Sequence, residues 1–123
     1  MTNLVAGWVG VLFGFFAGAV EGLFFHREDW RGGYSTWRRR MTRLAHISFF
    51  GIGFINIAFG LTLISTGVAP PPPASTLLMI GAAAMPLVCY LSAWKNFFRH
   101  LFFIPVVSLV AGVSFLILGG LLK

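Results

Sequence analysis

Apolar residues run along this chain in four long stretches, separated by segments rich in basic residues, aromatic residues or prolines. Each stretch contains about 20 residues, enough for an α-helix to cross the hydrocarbon core of a bilayer. We therefore predict four membrane-spanning helices, at residues 4–25, 44–66, 76–94 and 101–122. The chain, residues 1–123, is then a single transmembrane domain, without room for a separate soluble one.

The segments between the predicted helices are short, apart from a loop at residues 27–42. Residues 67–75 contain four consecutive prolines, which cannot continue a helix and favour a stiff polyproline turn. Residues 94–100 form a tight link. Because short links place successive helices antiparallel, we predict an all-α bundle of four helices with up-down-up-down topology.

Basic residues are concentrated at one end of this predicted bundle. The chain has nine Lys and Arg against three Asp and Glu, a net charge of +6. Six of the nine lie between the first and second helices, and two lie between the third and fourth. The positive-inside rule assigns both of these connections to the cytoplasm. The N- and C-termini and the proline loop at residues 67–75 are then predicted on the outer, periplasmic side.

The composition supports a membrane protein as well. Hydrophobic residues make up 58% of the chain and charged residues 10%, whereas a soluble domain carries about 25% charged residues. We expect the inner membrane of a bacterium, with the lipid bilayer as a partner. Since the positive charge is explained by topology, we expect no nucleic-acid partner. The single cysteine, Cys89, excludes an intrachain disulfide.

The basic loop at residues 27–42 also contains aromatic residues, namely Trp30, Tyr34 and Trp37. Arginines at anionic headgroups, with aromatic rings at the interface, are typical of a cytoplasmic membrane edge. We interpret the loop as an interfacial anchor. The alternative is a docking surface for an acidic partner.

Small residues recur on the first predicted helix. Its glycines follow a stride of four, at Gly10, Gly14, Gly18 and Gly22. A glycine stripe lets the backbone of another helix approach closely. We therefore predict close packing here, against a helix of this chain or of a second protein.

Four ionisable side chains are predicted at similar depth, near the cytoplasmic face. Glu21 lies about one and a half turns from the end of the first helix, and His26 follows that end. His46 lies inside the second helix, and His100 is next to the start of the fourth. Ionisable groups in a membrane are costly and usually face the bundle interior, so their convergence predicts a functional site.

A purely structural role would explain the same residues. Histidines at helix ends are often interfacial, which fits His26 and His100. His46 could bond to a neighbouring helix or pair with Glu21, and Glu21 could equally form an ion pair with an arginine.

A haem site is the sharper hypothesis. In the predicted bundle, His46 and His100 lie on diagonal helices roughly 11–14 Å apart, and a b-type haem takes a histidine on each axial face. Gly53 lies almost directly beneath His46, where a flat macrocycle would need space. Arg43 and Arg99 would pair with the haem propionates. Glu21 and His26 would serve as proton or hydrogen-bond groups.

One stretch carries a resemblance to a known family. The sequence RLAHISFFGIGF, at residues 43–54, resembles the Arg-x-x-His-x-x-x-x-Gly pattern of a haem-ligating helix in haem-copper oxidase subunit I. It covers about a dozen residues, and the remaining histidine ligands of that family are absent from this chain. The resemblance implies a haem-iron ligand at His46.

Three functions are compatible with the amino-acid sequence. The first is a small membrane subunit of a larger complex, carrying haem b or transferring electrons in contact with quinone. The second is a non-catalytic structural or assembly subunit that packs against other membrane protein subunits. The third is a small proton-coupled transporter that uses Glu21. No nucleophile–base pair, phosphate loop or zinc spacing is found, so we do not expect an enzyme that acts alone.

Overall fold

A computed structural model describes residues 1–123 and is entirely helical. Its four main helices are α1 (Thr2–Phe24), α2 (Trp37–Thr66), α3 (Pro72–Trp94) and α4 (Phe103–Leu116). A 3₁₀ segment at Asn96–Phe102 leads into α4, and a π-helical turn at Ile117–Leu121 follows it. Four helical segments are long and apolar enough to cross a membrane, the last running from Asn96 to Leu121. The prediction of an all-α chain with four helices long and apolar enough to span a membrane is confirmed.

Helix α2 begins at Trp37, whereas the sequence predicted a start at residue 44. Thr36 caps this end, because its hydroxyl oxygen accepts a hydrogen bond from the backbone N–H of Arg39 at 3.4 Å. At the other end, Gly67 adopts a left-handed conformation with φ 68°, as glycines after a helix commonly do. The last part of the predicted basic loop at residues 27–42 is therefore helical.

Proline positions set the start of the next two helices. Helix α3 begins at Pro72, inside the predicted proline loop at residues 67–75, because the first turn of a helix needs no N–H donor. Pro105 likewise lies in the first turn of α4. Pro86 is the one proline in a helix interior.

The glycines of α1 pack against α2 of the same chain. A Cβ atom at Gly7 would lie 2.6 Å from the backbone oxygen of Gly53, and one at Gly18 would lie 2.6 Å from the ring nitrogen Nε2 of His46. Gly14 faces the ring of Phe50 in the same way. Residues early in α1 therefore lie beside residues late in α2, and residues late in α1 lie beside residues early in α2.

Helix α3 is the central element of the bundle. It packs against α2 on one side and against α4 on the other, while α1 contacts it less. Leu78 is 1% exposed, lies in a core cluster with Phe59 and Ala74, and fits against Gly112 of α4. Helices α1 and α4 form opposite edges of the bundle. Their large apolar side chains are mostly exposed, as expected where hydrocarbon rather than water surrounds them.

Candidate functional site: a buried carboxylate beside a half-buried imidazole

Glu21 and His46 form a pair between α1 and α2. The Glu21 residue is 4% exposed, and its oxygen Oε2 lies 3.9 Å from Nδ1 of His46. Neither carboxylate oxygen has a hydrogen-bond partner in the protein. Because a buried polar group without a partner is costly, this carboxylate is a candidate functional group rather than a structural one.

The local backbone holds His46 in this position. Gly18 lies one turn before Glu21 on α1, and its missing side chain leaves space for the imidazole. The ring of Phe50, one turn after His46 on α2, meets the imidazole edge to face, with centroids 5.4 Å apart. The imidazole is thus held between the backbone of α1 and an aromatic ring, with both nitrogens directed at α1.

Two arginines add positive charge next to the pair. The charges of Arg31 and Arg43 both act on the Glu21 carboxylate through space. Arg43 itself lies over the ring of Tyr34 at 4.2 Å and donates a hydrogen bond to the backbone oxygen of Tyr34 at 3.3 Å. The only cationic group within ion-pair distance of Glu21 is therefore His46, when that residue is protonated.

The basic loop folds around an arginine that sequence reasoning did not single out. Arg39 is 1% exposed, and its guanidinium donates to the backbone oxygens of Arg27 (3.0 Å), Glu28 (3.4 Å) and Phe25 (3.3 Å). It also lies 5.0–5.5 Å from the centroids of three aromatic rings, those of Phe25, Trp30 and Tyr34. We call this arrangement the Arg39 clasp. The mixture of arginines and aromatic residues in the loop was the only signal for it.

A second polar cluster lies at the opposite end of the bundle. The side-chain amide of Asn3 donates to Oδ1 of Asn56 at 2.7 Å, and the hydroxyl of Ser75 donates to the Asn3 side chain. Asn56 donates in turn to the backbone oxygen of Leu78 at 3.2 Å. These bonds tie α1, α2 and α3 together. An asparagine within a membrane span is itself a sequence signal for such a polar cluster.

The other predicted site residues lie apart from the Glu21–His46 pair. His26 is exposed in the loop after α1, and His100 is exposed in the 3₁₀ segment before α4. The ring of His100 meets that of Phe97 at 5.9 Å, and Arg99 donates to the side chain of Asn96 at 3.3 Å. No hydrogen bond, ion pair or ring contact joins His100 to His46.

The residues do not fit a haem between His46 and His100. Nε2 of His46 abuts the backbone at Gly18, and Nδ1 faces Glu21, so both candidate iron-ligating nitrogens point at α1. Gly53 provides no space for a macrocycle, because α1 covers it: a Cβ there would lie 2.9 Å from the backbone oxygen of Gly7.

The fold and the site together define a protein of four helices suited to span a membrane, in which the buried Glu21 carboxylate lies beside the half-buried His46 imidazole. No group of three or more His, Cys, Asp and Glu side chains is arranged to hold a metal ion. Comparisons with protein-family models, curated proteins and solved structures give no match.

Proposed function

We propose that this chain is a small integral membrane subunit in which the Glu21–His46 pair binds and releases protons. The observation that carries the proposal is the buried Glu21 carboxylate, both oxygens of which lack hydrogen-bond partners. A protonated carboxyl is far less costly in this setting than an ionised one, so proton binding relieves the burial penalty. Glu21 can release this proton to His46, and the resulting imidazolium then pairs with the Glu21 carboxylate.

The geometry supports proton exchange within the pair. The distance of 3.9 Å between Oε2 and Nδ1 is longer than a hydrogen bond, so transfer needs a small approach of the side chains or one bridging water. Imidazole is the side chain that exchanges protons most readily near neutral pH. Glu21 is thus the buried proton-binding group, and His46 is the relay beside it.

We propose an up-down-up-down topology for the four helices, with both termini on the periplasmic side of a bacterial inner membrane. Two observations support this topology: the reversed order of contacts between successive helices, and the basic residues of the α1–α2 and α3–α4 connections. In that orientation the Glu21–His46 pair lies near the cytoplasmic rim, where protons would enter and leave.

We further propose that the subunit works with other membrane proteins. The chain has no second ionisable pair that would carry a proton to the far side, since the polar cluster there consists of the uncharged Asn3, Asn56 and Ser75. A proton bound at Glu21 can therefore serve a neighbouring subunit, whereas the chain alone provides no complete path. The exposed apolar edges formed by α1 and α4 are available for such neighbours.

Infrared difference spectroscopy of the purified protein tests the proton-binding role. We expect a change of pH to produce a carboxylic acid C=O band that disappears in Glu21→Gln and persists in Glu28→Gln, which removes an exposed loop carboxylate. His46→Gln should shift the pH at which the band changes, whereas His26→Gln should not. A band that survives in Glu21→Gln would show that the proposal is wrong.

Purification in mild detergent tests the second part of the proposal. We expect larger membrane proteins to co-purify with the chain. If the chain instead purifies alone and releases protons when a cationic drug is added, and if Glu21→Gln abolishes that release, the protein is a small proton-coupled transporter.

A further inference from the structure

An apolar groove runs between α1 and α3 on the surface of the bundle. It encloses about 410 Å³, and small residues on both walls, Gly10 on α1 and Ala82 and Ala83 on α3, give it width. The ring of Phe49 on α2 forms part of its lining. Nearly all of the lining is apolar, so the groove suits a hydrocarbon ligand.

A second hollow extends this groove towards the cytoplasmic rim. It encloses about 310 Å³ and shares Phe13, Phe49 and Tyr90 with the first, and its lining includes Arg31 and Thr42. We call the two hollows together the α1–α3 groove. It is apolar along most of its length and cationic at one end.

The length of the α1–α3 groove suits a single acyl chain. Its wall on α1 runs from Ala6 to Val20, about 21 Å at 1.5 Å per residue. An acyl chain, which reaches about half of a 30 Å hydrocarbon core, is accommodated.

Arg31 is the group that gives the groove its polarity. Its side chain is exposed and forms no ion pair or hydrogen bond within the protein, although its guanidinium lies over the ring of Trp30. The backbone of Arg31 is left-handed, with φ 54°, a conformation that non-glycine residues seldom adopt. Such strain is typical of residues held in place to clamp a ligand.

We propose that the α1–α3 groove binds one acyl chain of an anionic phospholipid, the phosphate of which pairs with Arg31. The apolar length of the groove takes the chain, and the unpaired guanidinium at its cytoplasmic end takes the negative headgroup. This site uses no atom of the Glu21–His46 pair, but Arg31, which would bind the phosphate, also acts electrostatically on Glu21, so separate variants test the two roles.

Native mass spectrometry of the full-length protein in detergent tests the lipid site. The probes are phosphatidylglycerol and phosphatidylcholine with identical acyl chains. We expect phosphatidylglycerol to be retained at least fivefold more than phosphatidylcholine. Arg31→Gln should remove about that factor, as expected for one arginine at an anionic headgroup, while the exposed rim variant Arg40→Gln should leave it unchanged. Equal retention of the two lipids by the unaltered protein would overturn the proposal.

A second variant tests the groove itself. Ala83 is exposed to the membrane, so Ala83→Phe fills the groove without disturbing the core, and we expect retention of phosphatidylglycerol to be lost. Val107→Phe adds a ring to an exposed position of α4 and should retain the lipid. Unchanged retention in Ala83→Phe, or a second copy of the chain cross-linked at residue 83, would show that the lipid does not occupy this groove.

Discussion

His46 lies against α1 because residue 18 is a glycine. A side chain there would collide with the imidazole, since even a Cβ atom would lie 2.6 Å from Nε2. The imidazole also shields the Glu21 carboxylate, which has no hydrogen-bond partner. The site is thus a three-part arrangement of a glycine, an imidazole and a carboxylate. Each part depends on close contact between the backbones of α1 and α2.

We expect Gly18→Ala to displace His46 and to destabilise the protein by about 1–3 kcal/mol, the usual cost of adding a methyl group to a filled contact. Thermal unfolding in detergent measures this change as a lower Tm. The matched control is Gly22→Ala, because no atom lies within 4 Å of a Cβ built at Gly22. Equal Tm values for the two variants would contradict the packing described for His46.

The connection between α1 and α2 is organised by the Arg39 clasp. The sequence predicted a loop of 16 residues, 27–42. In the structure this segment forms a compact cap, because the buried guanidinium of Arg39 binds three backbone oxygens and lies over aromatic rings. Carbonyl oxygens and ring faces neutralise its charge in part, and no carboxylate takes part in the clasp. At the scale of elements, this clasp fixes where α1 ends and where α2 begins, and it holds Arg31 at the end of the α1–α3 groove.

We expect Arg39→Gln to open this cap, because the shorter, uncharged side chain cannot reach the same oxygens. Loss of hydrogen bonds from a charged group gives a cost of about 2–4 kcal/mol. Hydrogen exchange of residues 25–36 should become markedly faster, and trypsin should cut the loop at Arg27 and Arg31. Arg40→Gln, at an exposed position on the same turn, serves as the control and should leave both measurements unchanged.

The whole molecule is a bundle with two unlike ends. Charged and aromatic residues gather at one end around the Arg39 clasp, while the uncharged network of Asn3, Asn56 and Ser75 ties the helices near the other. Helix α3 lies between α2 and α4, which leaves α1 and α4 as open edges. This asymmetry underlies the proposed orientation, in which only the charged end meets the cytoplasm.

Cysteine labelling in intact cells checks this orientation. In a Cys89→Ala background, we expect Ala69→Cys, in the connection between α2 and α3, to react with a membrane-impermeant maleimide from outside. Ser35→Cys, in the connection between α1 and α2, should react only after the cells are lysed. Both positions are exposed, so reactivity reports the side of the membrane rather than burial. The reverse pattern would invert the proposed topology.

The positions of Glu21 and His46 along their helices could be predicted from the sequence, whereas the partner of each side chain could not. The depth of Glu21 and His46 along their helices follows from counting residues, and the structure brings these two side chains together. The pairing of His46 with His100 assumed a shared interior between α2 and α4, but His46 faces α1 and His100 is exposed. Gly53, predicted to leave room for a cofactor, instead leaves room for Gly7.

Four apolar helices follow from the amino-acid sequence alone, because a segment in hydrocarbon must satisfy its backbone hydrogen bonds internally, and a long apolar run does so as a helix. Those bonds are local, so length and composition suffice to predict them. The contacts between helices, such as Gly18 against His46 and Asn3 against Asn56, could be seen only in the packed structure, as could the burial of Arg39 within its loop. These contacts depend on the rotation of each helix about its axis, which is set by packing among side chains distant in the sequence.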